Sequence, residues 1–207
     1  MTTIAFICTG NICRSVMAEA FFRELAASEI ESGAIEVVSA GVAAEDGGRP
    51  IPQIVAYMRG RGIDVGDYRS RPVDAAFIRQ CDLLLTMTLH NSQRLLTFDD
   101  DAVHKSFTLK EFVLGAERNG REPAGGDLDE RLRHMKRYIR HIEGLDDEGD
   151  GDPTSLKGPL QSFFLHYFHL YEQDLSIDDP LGQSEAFLER CAREIEDYTE
   201  RFYGMLK

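Results

Sequence analysis

The amino-acid sequence predicts an α/β fold: a doubly wound, four-stranded parallel sheet with helices on both faces. Two observations lead to this prediction. Short apolar runs typical of buried strands alternate along the chain with longer segments whose apolar residues recur at helical spacing. Each early strand-like run is also followed by turn residues and then by a helix-like segment, which is the arrangement of a βαβ unit.

The predicted elements follow one another over the first half of the chain. Strands are expected at residues 3–7, 35–38, 83–87 and 105–108, and helices at 16–31, 51–61 and 89–96. The helix 16–31 carries an apolar face, and Pro50 and Pro52 mark the entry to the next helix. A long helix at 183–205 ends the chain. Because ligands of parallel sheets bind at the carboxyl ends of the strands, the loop after the first strand is the expected site.

The character of the sequence changes between residues 115 and 177. Residues 127–142 have a helical pattern, 144–153 are acidic, and 154–175 carry an aromatic stripe at helical spacing. A single domain of residues 1–207 is therefore predicted, with a core of 1–114 and 178–207 and a helical insertion of about 115–177 before an Asp-Pro loop. The aromatic stripe of residues 154–175 either packs into the core or folds over the predicted site and forms one of its walls.

Length, charge and cysteine content limit the function classes. The chain has 207 residues, 36 acidic against 23 basic, and a net charge of −13, which argues against nucleic acid as a partner. No apolar stretch reaches the roughly 18 residues of a membrane span, and the N-terminus lacks the basic region of a secretory signal. Four cysteines form no secreted disulfide framework, so a cytoplasmic protein is predicted. The oligomeric state stays open.

Residues 8–15, Cys-Thr-Gly-Asn-Ile-Cys-Arg-Ser, carry the chemistry. Cys8 ends a predicted strand, and a loop leading to a helix N-terminus follows it, where backbone amides and the helix dipole favour an anion. The field that holds a phosphate also stabilises a thiolate. Arg14 adds a guanidinium that binds phosphoryl oxygens in bidentate fashion.

This string, its position after the first strand and the apolar run 17–21 resemble the C-x5-R-S signature of the low-molecular-weight protein tyrosine phosphatases. The resemblance implies a metal-independent phosphomonoester hydrolase without a cofactor, acting on a phosphorylated protein. Cys8 is then the nucleophile that forms a phosphocysteine intermediate, and Arg14 binds the phosphoryl oxygens. The amides that assist it belong to Thr9, Gly10, Asn11, Ile12, Cys13 and Arg14.

The same resemblance places an Asp-Pro pair late in the chain as the general acid, and Asp179-Pro180 fits. Asp178 is the neighbouring alternative, helix capping would explain either residue, and Asp152-Pro153 is a second pair in the acidic segment.

Further residues in and around the loop have expected roles of their own. Ser15 can donate its hydroxyl to the Cys8 sulfur, although a helix N-cap needs the same residue type. Ser39 corresponds to a family serine that orients Asn11, which we expect in a left-handed conformation. Cys13 would form a reversible disulfide with Cys8 that protects it from overoxidation, the alternative being simple packing. Tyr68 stands where the family often has histidine, which puts a supporting role of that position in doubt.

The substrate class is less determined by the sequence. Residues 108–112 also resemble a bacterial branch that contains protein arginine phosphatases, in which threonine is typical at the position of Ile12; Ile12 therefore favours phosphotyrosine. Leu181 replaces the aromatic residue that usually follows Asp-Pro in the tyrosine phosphatases. Two further functions are less favoured: arsenate reduction, which needs two more cysteines where only Cys81 is found, and phosphate binding without catalysis. The histidines at helical spacings, His134, His141, His166 and His169, are expected to bind no metal.

Overall fold

The computed structural model describes residues 1–118, 126–140 and 174–207. Its centre is a parallel sheet of four strands in the order β2-β1-β3-β4. The strands are β1 (Thr2–Cys8), β2 (Ile35–Gly41), β3 (Leu83–Thr86) and β4 (Ser106–Thr108). β1 is central, and its last residue Cys8 pairs in register with Gly41 at the end of β2. The predicted sheet is confirmed.

The helices of the described residues lie between and after these strands. They are α1 (Arg14–Leu25), α2 (Ala27–Glu31), α3 (Pro52–Gly60), α4 (Ala75–Gln80), α5 (Leu89–Leu95), α6 (Leu109–Arg118), α7 (Leu128–Arg140) and α8 (Glu185–Met205), with a 3-10 helix at Asp100–His104. None of these helices is both long enough and apolar enough to cross a membrane.

Three expectations from the sequence need correction. The helix expected at 16–31 is two helices, because Ala26 leaves the helical conformation with φ −97° and ψ 24°. β2 continues three residues beyond Val38, because it pairs with β1 as far as Cys8. The short α4 and the 3-10 helix were not predicted, since each is too brief to show a helical period.

The expected boundary between core and insertion at residue 114 falls inside α6. α6 packs against α7 at Gly115, where a Cβ would lie 2.9 Å from Cγ2 of Ile139. The helical pattern at 127–142 is confirmed over the described residues by α7. The acidic segment 144–153 lies outside the described residues, as does the aromatic stripe of 154–175 apart from Asp174 and Leu175.

Alternation along β1 divides the core into two layers. Ile4, Phe6 and Cys8 face the layer formed with α1, α3, α6, α7 and α8, while Ala5 and Ile7 face α4 and α5. In the larger layer, Phe22 of α1 packs against Phe6 and stacks on Phe202 of α8 with ring centroids 5.7 and 5.5 Å away. This packing places the N-terminus of α1 at the carboxyl end of β1, beside α8.

Candidate active site

The loop between β1 and α1 wraps around the sulfur of Cys8. The Asn11 backbone N–H donates to Sγ at 3.2 Å, and the Ser15 hydroxyl lies 3.0 Å from it. Cys8 is 2% exposed, and its sulfur faces the start of α1, where the helix dipole favours negative charge. Donors that stabilise a thiolate are thus in place.

Ser15 is not the N-cap of α1. The cap position is Cys13, which makes no side-chain capping bond, and Ser15 is the second residue of the helix. Its hydroxyl lies between the Cys8 sulfur and Nδ2 of Asn11, at 3.0 and 2.9 Å. The expected contact of Ser15 with Cys8 is present, and the capping alternative is wrong.

Asn11 shapes the loop from within. Its φ of 52° is the left-handed conformation expected from the sequence. Its fully buried side chain places Nδ2 2.9–3.0 Å from the hydroxyl oxygens of Ser15, Ser39 and Tyr68, and Oδ1 accepts from the Arg71 N–H at 2.9 Å. The contact expected between Ser39 and Asn11 is present.

Tyr68 supports the loop, contrary to the doubt that its residue type raised. Its hydroxyl bonds to Asn11 and to Ser39, and Ser39 in turn donates to Oε2 of Glu19 at 2.6 Å. Burial, together with the nearby charge of Glu19, raises the pKa of Tyr68 to about 12, so the hydroxyl stays a donor at neutral pH. Arg23 pairs with Glu19 at 2.9 Å.

Sequence reasoning missed Glu19, which looks like an ordinary polar residue of an amphipathic helix. A signal was available, because Glu19 follows Ser15 by four residues and so lies on the same face of α1.

Gly41 allows the neighbouring chain to approach the loop. Backbone bonds from Val42 N to Cys8 O and from Ala43 N to Thr9 O, 3.0 and 2.9 Å long, tie the end of β2 to it. A Cβ on Gly41 would lie 2.5 Å from Thr9 O and 2.9 Å from Asn11 N. Glycine is therefore required here by the close backbone contact.

Arg14 connects the loop to Asp179, 165 positions along the chain. Its guanidinium is 4% exposed, donates to Oδ2 of Asp179 at 2.6 Å and to the Ile177 carbonyl at 3.0 Å, and its buried Nε has no hydrogen-bond partner among the described residues. Asp179 is half-exposed and also accepts from the Leu181 N–H at 3.1 Å. Ser184 caps α8, so helix capping does not explain Asp179.

The four cysteines are free and buried, and they differ in position. Burial, followed by the negative charge on Cys8, raises the pKa of Cys13 far above its usual range. Cys13 therefore stays a protonated thiol next to Cys8. Cys81 precedes β3 at the amino end of the sheet, opposite the end where Cys8 lies, and burial raises its pKa to about 12.

The remaining predicted residues divide between loop and rim. Ile12 is half-buried and lies against Gly10, where a Cβ would be 3.4 Å from its Cγ1, while Leu181 is 53% exposed. Over residues 1–118, 126–140 and 174–207 no cluster of three His, Cys, Asp or Glu side chains could hold a metal. Of the four histidines singled out in the sequence, His141, His166 and His169 lie outside that part of the chain.

Comparison with known proteins was consistent with this geometry. The family model described as low molecular weight phosphotyrosine protein phosphatase matches residues 3–145. A Bacillus subtilis protein named "Protein-arginine-phosphatase" is 37% identical over 126 residues, which cover 61% of this chain and 82% of that protein. A Ralstonia solanacearum protein named "Probable low molecular weight protein-tyrosine-phosphatase EpsP" is 35% identical over 113 residues, 55% of this chain and 70% of the relative.

Among solved structures, a mutant of YwlE from Bacillus subtilis superposes with a TM-score of 0.65 at 25% identity, covering 100% of this chain and 99% of that one. The tyrosine phosphatase Wzb from Escherichia coli K30, in complex with sulphate, superposes with a TM-score of 0.63 at 19% identity, covering 99% and 98%, and supports the fold. With the family model matching well over half of the residues, the chain belongs to the low-molecular-weight protein tyrosine phosphatase family and is a cysteine-dependent phosphatase.

Proposed function

We propose that this protein hydrolyses phosphotyrosine in proteins through a phosphocysteine intermediate formed on Cys8, with Asp179 as the general acid. The observation that carries the proposal is the 2.6 Å hydrogen bond between Arg14 and Asp179. It brings the one carboxylate that the resemblance assigns to acid catalysis to the rim of the loop that holds the nucleophile.

The first step follows from the donors around the loop. A phosphate dianion bound there would take the guanidinium N–H groups of Arg14, including the buried Nε, and the amides of residues 9–14. The Cys8 thiolate attacks phosphorus, so that an S–P bond forms as the P–O bond to the tyrosyl group breaks. Because the phenol has a pKa of about 10, its oxygen leaves more readily when Asp179 protonates it.

The second step uses the same carboxyl group. Asp179, now ionised, removes a proton from a water molecule that attacks the phosphocysteine; the S–P bond breaks and phosphate leaves. The Ser15 hydroxyl and the Asn11 N–H, both within 3.2 Å of the sulfur, stabilise the departing thiolate. Arg14, the loop amides and the N-terminus of α1 supply positive charge, so we propose that the reaction needs no metal.

The four free cysteines and this need for a reduced nucleophile support a reducing compartment such as the cytoplasm as the place of action.

Phosphotyrosine is the proposed substrate because of Ile12. Its half-buried side chain presents an apolar surface beside Gly10, within the loop that follows Cys8. Phosphoarginine is the second candidate, since the Bacillus subtilis relative at 37% identity is named for that activity.

Arsenate reduction is disfavoured by the position of Cys81. It aligns with Thr2 rather than with Cys8 across the parallel pair, so about six residues of strand, or roughly 20 Å, separate it from the nucleophile.

The main test uses p-nitrophenyl phosphate with a chelator present. The wild type should turn it over without added metal, and Cys8→Ser should abolish turnover although the fold persists. Activity that survives Cys8→Ser, or that needs a metal, would refute the proposal.

The substrate class is tested with phosphotyrosine and phosphoarginine peptides of the same sequence. We expect a higher kcat/KM on phosphotyrosine, and a shift towards phosphoarginine in Ile12→Thr. A wild type that prefers phosphoarginine would contradict the assignment to tyrosine while leaving the cysteine chemistry intact.

A further inference from the structure

Lys110 is buried beside the segment that carries Asp179. It is the second residue of α6 and only 5% exposed, and its ammonium meets three acceptors. These are Oε1 of Glu194 at 2.8 Å, the backbone carbonyl of Ser176 at 3.3 Å and Oδ2 of Asp174 at 3.4 Å. An ammonium has three N–H donors, so each of them faces an acceptor.

The Ser176 carbonyl lies three residues before Asp179, in a stretch without regular secondary structure. The next residue, Ile177, donates from its N–H to Met87 O at 2.8 Å and accepts from Arg14 at 3.0 Å. The segment is thus held on one side by the end of β3 and the loop arginine, and on the other by Lys110. Backbone without a helix or sheet ladder depends on such bonds for a defined position.

The charges around Lys110 indicate which contacts matter. Glu194 of α8 is about one-third exposed and balances the buried ammonium at short range. Asp174 has a side chain that is 88% exposed, so its ion pair contributes little. Lys110 therefore joins α6 to α8 through Glu194 and donates a further N–H to the backbone of the Asp179 segment.

We propose that Lys110 is a positioning residue for Asp179: it holds the Ser176 carbonyl and thereby sets where the carboxyl group stands relative to Cys8. The proposal rests on the function proposed above, in which Asp179 protonates the leaving group. Displacing a catalytic group by about 1 Å can lower the rate by up to about 10²-fold. A bond to the backbone of Ser176, three residues before Asp179, can therefore affect catalysis without touching the substrate.

The test compares Lys110→Met with Arg201→Met. Arg201 also joins α8 to α6, through Glu117 at 2.6 Å. Both cations lie over the Tyr198 ring, Lys110 at 5.8 Å and Arg201 at 4.5 Å from its centroid. The described partners of Arg201 do not include residues 174–181. Both variants lose an ion pair between the same two helices, so a purely structural effect should appear in both. Urea unfolding of each variant measures that shared effect.

The readout is kcat/KM on phenyl phosphate, a poor leaving group, and on p-nitrophenyl phosphate, a good one. For Lys110→Met we expect kcat/KM to fall about tenfold on phenyl phosphate and less than about threefold on p-nitrophenyl phosphate. The larger fall is only part of the roughly 10²–10⁴-fold acceleration that a general acid supplies, because the acid is displaced and not removed. Arg201→Met should lower both by less than about twofold, as expected for a site remote from the acid. Lys110→Arg, which keeps the charge and donors, should recover most of the loss.

A double-mutant cycle separates the proposal from a general loss of structure. In an Asp179→Asn background, where no acid remains to be positioned, Lys110→Met should have no further effect on kcat/KM. Additive losses, or equal losses on both substrates, would overturn the role of Lys110 while the proposed function stands.

If Asp179→Asn itself shows no dependence on the leaving group, the assignment of the acid fails, and the role of Lys110 with it. If Lys110→Met does not fold, the same cycle with Glu194→Gln, which weakens the hold on the ammonium, decides between these outcomes.

Discussion

Asn11 gives the sharpest test of how the loop is held. Replacing it by glycine or by alanine removes the same side-chain bonds, to Ser15, Ser39 and Tyr68 and from the Arg71 N–H. The two variants differ in the backbone, because φ at this position is 52°. Glycine adopts this conformation freely, whereas alanine is strained in it.

The size of the effect follows from these contacts. Four partners at about 0.5–1.5 kcal/mol each suggest a loss of several kcal/mol. Only the Arg71 N–H is left without its acceptor, because Ser15 still bonds to Cys8, and Ser39 still bonds to Tyr68 and to Glu19. We therefore expect Asn11→Gly to lower the free energy of unfolding by about 3 kcal/mol. Asn11→Ala should lower it by about 1 kcal/mol more. Alanine pays roughly 1–2 kcal/mol to adopt the left-handed conformation, and the greater entropy of glycine in the unfolded state offsets part of this difference.

Urea unfolding followed by circular dichroism measures both variants, and p-nitrophenyl phosphate turnover shows whether the loop still presents its donors to Cys8. Both variants should lose activity, and Asn11→Ala should lose more than Asn11→Gly. If Asn11→Ala is as stable as Asn11→Gly, the inferred backbone strain is wrong. If either variant loses less than about 1 kcal/mol of unfolding free energy, the inferred contribution of the hydrogen bonds is wrong.

Four further predictions concern residues in and around the loop. Gly41→Ala should lower kcat and stability together, because its Cβ would lie 2.5 Å from Thr9 O; unchanged kinetics would mean that the end of β2 moves freely away from the loop. Cys13, whose pKa is raised by burial and by Cys8, should react with iodoacetamide at pH 8 far more slowly than Cys8, as peptide mass spectrometry can measure. Peroxide should convert Cys8 to a sulfenic acid, which removes the negative charge beside Cys13 and so eases loss of the Cys13 proton; the Cys13 sulfur then attacks Cys8, and a disulfide forms with loss of water. Activity should return with dithiothreitol in the wild type but not in Cys13→Ala, and equal irreversible loss in both would contradict this. Finally, the pKa of Tyr68 is about 12 in the folded protein against 10 when unfolded, so its contribution to stability is complete below pH 10 and is lost as the pH rises towards 12. The difference in unfolding free energy between wild type and Tyr68→Phe should therefore shrink from pH 8 to pH 11, and a constant difference would refute the burial of a neutral Tyr68 hydroxyl.

How much of this could be predicted depends on how local each feature is. The sheet, the loop and the roles suggested for Cys8 and Arg14 follow from contiguous residues, because a strand, a loop of amides and a helix N-terminus make an anion site within one short stretch. Asn11 could also be foreseen in the left-handed region from its residue type alone. The short α4 and the break at Ala26 could not, since neither leaves a periodic signal.

Local sequence patterns were thus enough to predict the fold class, the phosphate-binding loop after β1 and the candidate acid. The packing of the elements was needed to show that Tyr68 bonds to Asn11 and that Glu19 reaches Asn11 through Ser39. It also showed that Gly41 must lack a side chain and that Lys110 donates to the Ser176 carbonyl. These contacts join residues far apart in the chain, and their partners are set by how α1, α6 and α8 pack on the sheet. A sequence shows which groups can donate or accept; the packing of its elements determines which of them meet.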